Sequence, residues 1–435
     1  MSDPGPGLSP LPPQASSLTG WNRLALPALV ALYLAAAIAH AAIAPTGATG
    51  YQNAPDEAAH VKYALTLSHG GLPTRHMAER DRLAQSYEWH QPPLYYLLAA
   101  ALAGLGERWM RAASIHCGVI TILLTYRCAR LLFPEPPLLA AVAAALPALT
   151  PAHIAITSTV NNDALTETLF TAVLLILALG ILKGFNHSRR ALLGVLLGAA
   201  LLTKSTCLLL VPIVAFGLWL AVLAGESGSN AGQTALQTAV FAWLICGWWF
   251  VRNGVLYHEW LPVRAFEQSF AGTAQARDLA DRLGGWAAYW QVVLRNTFKS
   301  FWAVYGSPLA ARQGIQLFLP AQAYFAPAAA VLCAIFGGLR KSSPDSVSTG
   351  VKNCIWLMAA TLAAVLASFL LFASRYFQAQ GRYLYPAMLP ISLLLALGWS
   401  RAVRRKYQVT FFLFVIGFLA ALDAVYLKYV FEASH

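Results

Sequence analysis

The chain has 435 residues, of which 58% are apolar and 11% are charged, and its formal net charge is +12. This composition excludes a single soluble domain and predicts an all-α polytopic membrane protein. The basic residues are dispersed between apolar segments and do not cluster on a soluble module, so we expect contact with membrane lipids and no binding of nucleic acid.

The chain begins with residues 1–22, which are rich in Pro, Gly and Ser and are expected to form a disordered cytoplasmic tail. Residues 23–435 are expected to form a single transmembrane domain. About eleven apolar segments are predicted to cross the membrane as helices. They are residues 24–44, 112–133, 137–156, 164–182, 191–203, 207–224, 234–251, 320–336, 355–373, 383–399 and 409–430.

The apolar segment Pro92 to Leu105 is not counted as a crossing, because it is about fourteen residues long and follows two prolines. Without it, the short basic connectors between the other segments fall on the cytoplasmic side, as the positive-inside rule requires. Loops 45–111 and 252–319 and the turn around Asp163 then lie together on the outer side. We expect juxtamembrane helices in the first of these loops.

A cluster of ionisable residues lies at Asn53 to His60, directly after the first crossing. Asn53 is a suitable helix cap, Pro55 fits a first turn, and Asp56 and Glu57 are favoured by the positive end of a helix dipole. On that helix His60 is four residues from Asp56 and three from Glu57, so the three side chains are predicted to share one face. We interpret this face as the holder of a catalytic base.

Two alternatives remain open for this cluster. One is a helix cap followed by a solvated acidic turn, since acidic residues are common in first turns. The other is a divalent metal site built from Asp56, Glu57 and His60, although the spacing selects no particular metal. No cofactor is otherwise indicated.

The segment from Glu88 to Tyr96 follows in the same loop and combines aromatic residues with a double proline. Tryptophan and tyrosine favour the membrane interface, so a structural anchor is the simplest interpretation. As candidate substrate contacts in this segment we consider His90, Gln91 and Tyr95.

Polar residues on the outer side further along the chain provide the remaining candidates. Asp163 lies in a short turn and is a possible partner of the acidic helix, while Lys204, Arg252, Arg375 and Arg382 flank apolar segments. Ordinary turns and interfacial anchors contain the same residue types. Several cations opposite two carboxylates would also form a pocket for an anionic lipid headgroup.

Motifs of soluble nucleotide-using enzymes are missing from the sequence. There is no phosphate-binding loop, dinucleotide fingerprint, nucleophile elbow or Cys-x-x-Cys pair. Any activated substrate is therefore expected to arrive through the membrane.

The order of these motifs resembles that of the GT-C superfamily of integral-membrane glycosyltransferases, from about Leu24 to Trp399. Its bacterial relatives of protein O-mannosyltransferases and aminoarabinose transferases are the most similar branches. The motifs in order are the pair Asp56-Glu57, the segment Pro92-Pro93-Leu94-Tyr95-Tyr96, the turn with Asp163, the segment Leu202-Thr203-Lys204 and the segment Gly381-Arg382-Tyr383-Leu384-Tyr385-Pro386.

The resemblance implies transfer of a sugar from a polyprenyl-phosphate carrier to a lipid, glycan or protein acceptor, at the periplasmic face of a bacterial cytoplasmic membrane. It implies that Asp56 is the general base, with Glu57 beside it. Aminoarabinose transferases have a lysine before the double proline where this chain has Gln91, and an arginine after the acidic pair where it has Ala58 and Ala59. These departures put aminoarabinose as the sugar in doubt. A transporter or flippase of a lipid-linked sugar is the alternative function.

Overall fold

A computed structural model gives the structure of the protein. It describes residues 16–44, 56–75, 87–135, 137–261, 263–264, 267, 273–305, 317–340 and 348–434. Over these ranges the chain forms α-helices and short 3₁₀ turns, and its only β-type pairings are two isolated bridges. The prediction of an all-α protein is confirmed.

The described ranges contain sixteen α-helices. In chain order they are α1 (Ser16–Ile43), α2 (Glu57–Ser68), α3 (Leu94–Ala100), α4 (Glu107–Leu132), α5 (Pro137–Leu149), α6 (Pro151–Thr157), α7 (Asn162–Lys183), α8 (His187–Leu201), α9 (Leu210–Leu223), α10 (Gly228–Tyr257), α11 (Ala276–Leu283), α12 (Trp286–Trp302), α13 (Phe325–Leu339), α14 (Thr349–Ala373), α15 (Met388–Ala402) and α16 (Gln408–Ser434).

Within the described ranges, nine helices are long and apolar enough to cross a membrane, or ten if the bent pair α5–α6 is one span. The predicted crossing at residues 191–203 corresponds to α8, which has 15 residues and at about 22 Å is shorter than the roughly 30 Å of a bilayer core. Lys204, which follows α8, nevertheless pairs with Asp163 at the start of α7, so this segment leads the chain back along the length of α7. Leu94–Leu105 is too short for a crossing, as predicted, and the expected juxtamembrane helices of the first outer loop are present as α2 and α3.

The structure differs from the expected tail at one end and adds helices that the sequence did not indicate. Helix α1 begins at Ser16, inside the segment 1–22 predicted to be a disordered tail, because a nucleated helix gains one hydrogen bond for each residue that extends it; residues 1–15 of that segment lie outside the described residues. The outer loop 252–319 contains α11 and α12, which were not foreseen. The two helices pack against the end of α14 through Ala276, Tyr289 and Phe369, so long-range packing stabilises them.

Helix α7 lies at the centre of the bundle, where nineteen of its 22 residues are buried. Beside it, α5 and α6 are separated by a bend of 61°. The bend falls at Thr150 and Pro151, where the missing proline N–H and the restriction on the preceding residue interrupt an α-helix. After the bend, the turn between α6 and α7 meets α2, where the N–H of Val160 donates to Glu57.

Helices α13 and α15 approach closely through two glycines. A Cβ atom added at Gly337 would lie 1.9 Å from the carbonyl oxygen of Gly398, whereas one added at the neighbouring Gly338 would meet nothing within 4 Å. The contact is between backbones, so rotation of a side chain cannot relieve a clash there.

We therefore expect Gly337→Ala to destabilise the protein by about 1–3 kcal/mol through overpacking. Gly338→Ala is the matched control and should be neutral or slightly stabilising, because alanine is the better helix former. Heat-unfolding midpoints of both variants in the same detergent would test this. Equal midpoints would contradict the close approach.

Candidate active site

Several helices that meet at one face of the bundle bring distant polar residues together. Asp163 is the second residue of α7, Lys204 precedes the 3₁₀ turn before α9, Arg375 follows the end of α14, and Arg382 precedes α15. Together with Asp56 at the start of α2, they surround one cavity or support its wall. The structure therefore brings together polar residues that lie far apart in the sequence.

Asp56 caps α2 in a left-handed backbone conformation, with φ 67° and ψ 0°. Aspartate tolerates this region better than most residues, and such strain occurs preferentially at functional sites. The carbonyl oxygen of Asp56 accepts hydrogen bonds from the N–H groups of Ala59 and His60. Its side chain is 33% exposed, so a substrate can reach the carboxylate. Asn53 and Pro55, the predicted cap and first-turn residue, lie outside the described residues.

Arg382 connects the two carboxylates of the site. Its Nη2 atom lies 2.6 Å from Oδ2 of Asp56, and its Nη1 atom lies 3.6 Å from Oδ2 of Asp163. Lys204 lies 2.5 Å from the other oxygen of Asp163. Gln380 accepts a hydrogen bond from Nε of Arg382 at 2.7 Å, which fixes the plane of the guanidinium. Two anions and two cations thus form one continuous chain of charge.

The last turn of α12 positions the segment that carries Arg382. A Cβ atom at Gly381 would lie 2.3 Å from the backbone of Phe301, so only glycine allows this approach. The N–H of Gly381 donates to Ser300 at 2.8 Å, and the hydroxyl of Tyr385 donates to the carbonyl of Phe301 at 3.1 Å. Helix α12 therefore determines where Arg382 lies.

Glu57, in contrast, is directed away from the cavity. Arg111 binds both of its carboxylate oxygens, at 2.8 and 2.6 Å, and the N–H of Val160 donates to the first of them at 2.8 Å. Arg111 also donates to the carbonyls of Ala41 and Ala44. The prediction that Asp56, Glu57 and His60 share one face is wrong, because Asp56 lies before the helix and Glu57 points into the protein.

His60 lines the cavity and is oriented by Tyr96. Its Nδ1 lies 2.8 Å from the hydroxyl of Tyr96, which also accepts a hydrogen bond from the Asn162 amide at 3.2 Å. Burial lowers the pKa of His60, so the imidazole is neutral at pH 7. The neighbouring Tyr95 bonds to Ser114 and to the N–H of Asn161.

The cavity has a volume of about 450 Å³ and two unlike sides. Its polar side includes Asp56, His60, Lys204 and Arg382, and the opposite wall is formed largely by apolar residues of α14. Leu371 in this wall is 70% exposed, so the wall continues to the lipid-facing surface of the helix. A cavity of this kind suits an amphipathic molecule with an anionic head and an apolar tail.

The predicted site residues fall into two groups, those that line the cavity and those that do not. Those that line the cavity are Asp56, His60, Gln91, Lys204, Arg375 and Arg382. Glu57, His90, Tyr95, Asp163 and Arg252 do not line it.

The second group has other contacts. Tyr95, on the helix that follows the double proline, and His90, on the 3₁₀ turn before it, are both buried. Arg252 stacks on Trp249 at 4.9 Å and donates to the carbonyl of Pro73. Asp163 acts on the cavity through Lys204 and Arg382. Direct contact with a substrate is therefore not supported for these residues.

Two important residues were missed in the sequence. Arg111 begins an apolar helix, where a cation usually indicates an interfacial anchor, and only the fold brings it to Glu57. Glu88 was assigned to an aromatic anchor segment, although it lines the cavity beside Asp56. No local pattern distinguishes either residue from a surface charge.

The proposed metal set does not fit the geometry. Both oxygens of Glu57 are held by Arg111, and Asp56 is paired with Arg382. Among the residues that the structure describes, no group of three His, Cys, Asp or Glu side chains is arranged to hold a metal ion. We therefore derive no chemical step through a metal at these residues.

Comparison with known proteins provides independent information on the fold. A sequence profile of the family described as dolichyl-phosphate-mannose-protein mannosyltransferase matches residues 90–249. No sequence among curated proteins matches the chain significantly.

The solved structures that are similar to it include two membrane enzymes. ArnT from Cupriavidus metallidurans, bound to undecaprenyl phosphate, has 14% identity and a TM-score of 0.51 over 96% of this chain and 76% of that one. The oligosaccharyltransferase of Archaeoglobus fulgidus in its apo form has 14% identity and a TM-score of 0.52 over 93% and 56%.

The chain therefore has the fold of the GT-C superfamily of membrane glycosyltransferases, and the resemblance seen in its motifs is confirmed. Identities of this size show the fold alone. The particular reaction has to be argued from the residues of the cavity.

We predict that Glu57→Gln destabilises the protein far more than Asp56→Asn. The first variant leaves the buried Arg111 cation without its counter-charge, which costs about 3–5 kcal/mol. The second removes a partly exposed carboxylate and keeps a residue that favours the left-handed conformation. Heating purified samples and measuring the surviving monodisperse fraction by size-exclusion chromatography tests this. Equal losses in both variants would show that the buried pair contributes no special stability.

Proposed function

We propose that this protein is a glycosyltransferase that moves a sugar from a polyprenyl-phosphate carrier to a lipid, glycan or protein acceptor. The observation that carries the proposal is the position of Asp56. Its accessible carboxylate lies in a cavity with cations on one side and an apolar wall that reaches the lipid-facing surface. This arrangement fits a phosphate headgroup, an isoprenoid tail and a base close to the reacting carbon.

The cations of the cavity fit the leaving phosphate. Lys204 and Arg382 lie on its polar side, and Arg375 is an exposed residue of its rim. Within the described ranges no hydrogen bond or ion pair occupies the Arg375 guanidinium, whereas Lys204 and Arg382 are already paired with carboxylates. We therefore assign the primary phosphate contact to Arg375. The paired cations add positive potential behind it.

The mechanism is a direct displacement. The acceptor oxygen or nitrogen forms a bond to the anomeric carbon, while the bond from that carbon to the phosphate oxygen breaks and its electron pair leaves with the phosphate. Asp56 takes the proton of the acceptor, and the cations stabilise the charge that develops on the phosphate. One displacement at this carbon inverts its configuration.

The positions of basic residues at the helix ends support a site on the outer face of a bacterial cytoplasmic membrane. The cavity lies at the start of α7 and α15 and at the end of α14. Basic residues lie at the opposite ends of these and neighbouring helices, at Arg130, Lys183, Arg340 and Arg401. Short basic connectors favour the cytoplasmic side, so the cavity would open to the periplasm.

Asp56→Asn is expected to lower sugar transfer at least about a hundredfold, because asparagine cannot accept the proton. Donor binding and folding should persist, since asparagine suits the backbone at this position. The measurement is release of undecaprenyl phosphate from a panel of undecaprenyl-phosphate sugars incubated with membrane glycolipids and peptides. Asp278→Asn, an exposed change on α11, is the control.

Two results would count against this assignment. Full transfer by Asp56→Asn would remove Asp56 from the role of base. Movement of intact lipid-linked sugar between leaflets, without release of undecaprenyl phosphate, would support the transporter alternative.

Arg375→Gln is expected to weaken donor binding by roughly ten- to a hundredfold, the effect of losing one hydrogen bond to a charged group. Arg252→Gln is the control, because Arg252 stacks on Trp249 outside the cavity. Titration of undecaprenyl phosphate into each variant in nanodiscs gives the two affinities. Greater weakening by Arg252→Gln would reverse the assignment.

A further inference from the structure

Glu88 is a buried acidic residue of the cavity that forms no ion pair with any residue the structure describes. It lies on the 3₁₀ turn Tyr87–His90 and lines the cavity with Asp56 and His60. Its Oε2 atom is sealed from solvent and has no hydrogen-bond partner among the described residues. Asp56, Glu57 and Asp163, by contrast, are each paired with a lysine or an arginine.

The neighbouring Gln91 has a second oxygen without a partner. Its amide nitrogen lies 3.2 Å from Nε2 of His90, while its Oε1 atom is buried and accepts no hydrogen bond from any described residue. Gln91 lines the same cavity and follows Glu88 by three residues on the same turn. Two unsatisfied oxygens therefore occur on one short stretch of the polar side.

The surroundings of Glu88 favour its protonated form. Burial raises the pKa of its carboxyl group, and the charge of Asp56 acts in the same direction. Lys204 and Arg382 act against it but form their ion pairs with Asp163 and Asp56. His60 also acts to lower the pKa of Glu88, although burial lowers the pKa of that imidazole itself, and the phenols of Tyr63 and Tyr96 lie nearby.

A neutral carboxylic acid and an amide oxygen complement a hydroxyl group. The acid donates a hydrogen bond and the amide oxygen accepts one, while a hydroxyl both accepts and donates. We propose that Glu88 and Gln91 form a subsite for a hydroxyl of an uncharged sugar, with Glu88 as the donor and Gln91 as the acceptor. This inference rests on the proposed function only for the presence of a lipid-linked sugar in the cavity.

The test compares two ligands of the full-length protein in nanodiscs. One is undecaprenyl phosphate, and the other is the best-bound member of a panel of undecaprenyl-phosphate sugars that includes glucose, mannose, galactose, arabinose and an amino-arabinose. The preference is the ratio of the two affinities, so that changes in phosphate or tail binding cancel. Affinity for undecaprenyl phosphate alone also reports whether each variant is folded.

Glu88→Ala and Gln91→Leu are each expected to lower the preference for the sugar-bearing lipid about three- to tenfold, the effect of one neutral hydrogen bond. Glu88→Gln should keep most of it, since an amide N–H donates as the neutral acid does. The wild-type preference should fall as pH rises through the raised pKa of Glu88, and Glu88→Gln should remove that dependence. Glu107→Ala, an exposed change at the start of α4, is the control.

The inference is overturned if Glu88→Gln loses the preference as Glu88→Ala does while the amino-sugar lipid is bound best. That result would mean that an ionised Glu88 pairs with an ammonium group. It is also overturned if the wild type prefers no sugar in the panel to undecaprenyl phosphate alone. Failure of the proposed function is a separate result, namely binding without release of undecaprenyl phosphate in the transfer assay.

Discussion

The ion pair between Glu57 and Arg111 holds together the end of the helix bundle that carries the cavity. Arg111 belongs to α4, Glu57 to α2, and the N–H of Val160 adds the turn before α7. Taking two charges out of water is costly, and hydrogen bonds to both partners are needed to offset that cost. Here the guanidinium also reaches the carbonyls of Ala41 and Ala44. Four segments therefore depend on one buried contact.

As a result, the adjacent residues Asp56 and Glu57 have different roles. Glu57 is fixed inside the protein, and this places Asp56 at the end of the helix with its carboxylate toward the cavity. The same contact positions the turn that leads to Asp163. Below it, His153 of α6 binds Glu167 of α7 at 2.8 Å, which ties the bent helix to the central one. The two carboxylates that share Arg382 are thus held by polar bonds in the protein interior.

The sequence was sufficient for the fold class and most helix positions, because these follow from the length of the apolar segments. It also identified Asp56, Lys204 and Arg382 as candidate site residues, because each lies between a loop and an apolar segment. The sequence did not reveal the direction in which each side chain points. Whether Glu57 or Asp56 faces the cavity depends on Arg111, which is 54 residues from Glu57 in the sequence. That Oε2 of Glu88 has no hydrogen-bond partner among the described residues is a property of its three-dimensional surroundings.

The left-handed backbone at Asp56 limits which residues can occupy this position. Glycine and asparagine relax the backbone but cannot take a proton, whereas glutamate carries the right chemical group on a residue that disfavours positive φ. Among the common amino acids, only aspartate combines an ionisable carboxylate with tolerance of this conformation. Substitution at position 56 is therefore restricted both by the backbone conformation and by the need for a carboxylate. A change to glutamate keeps the charge but is not conservative at this position.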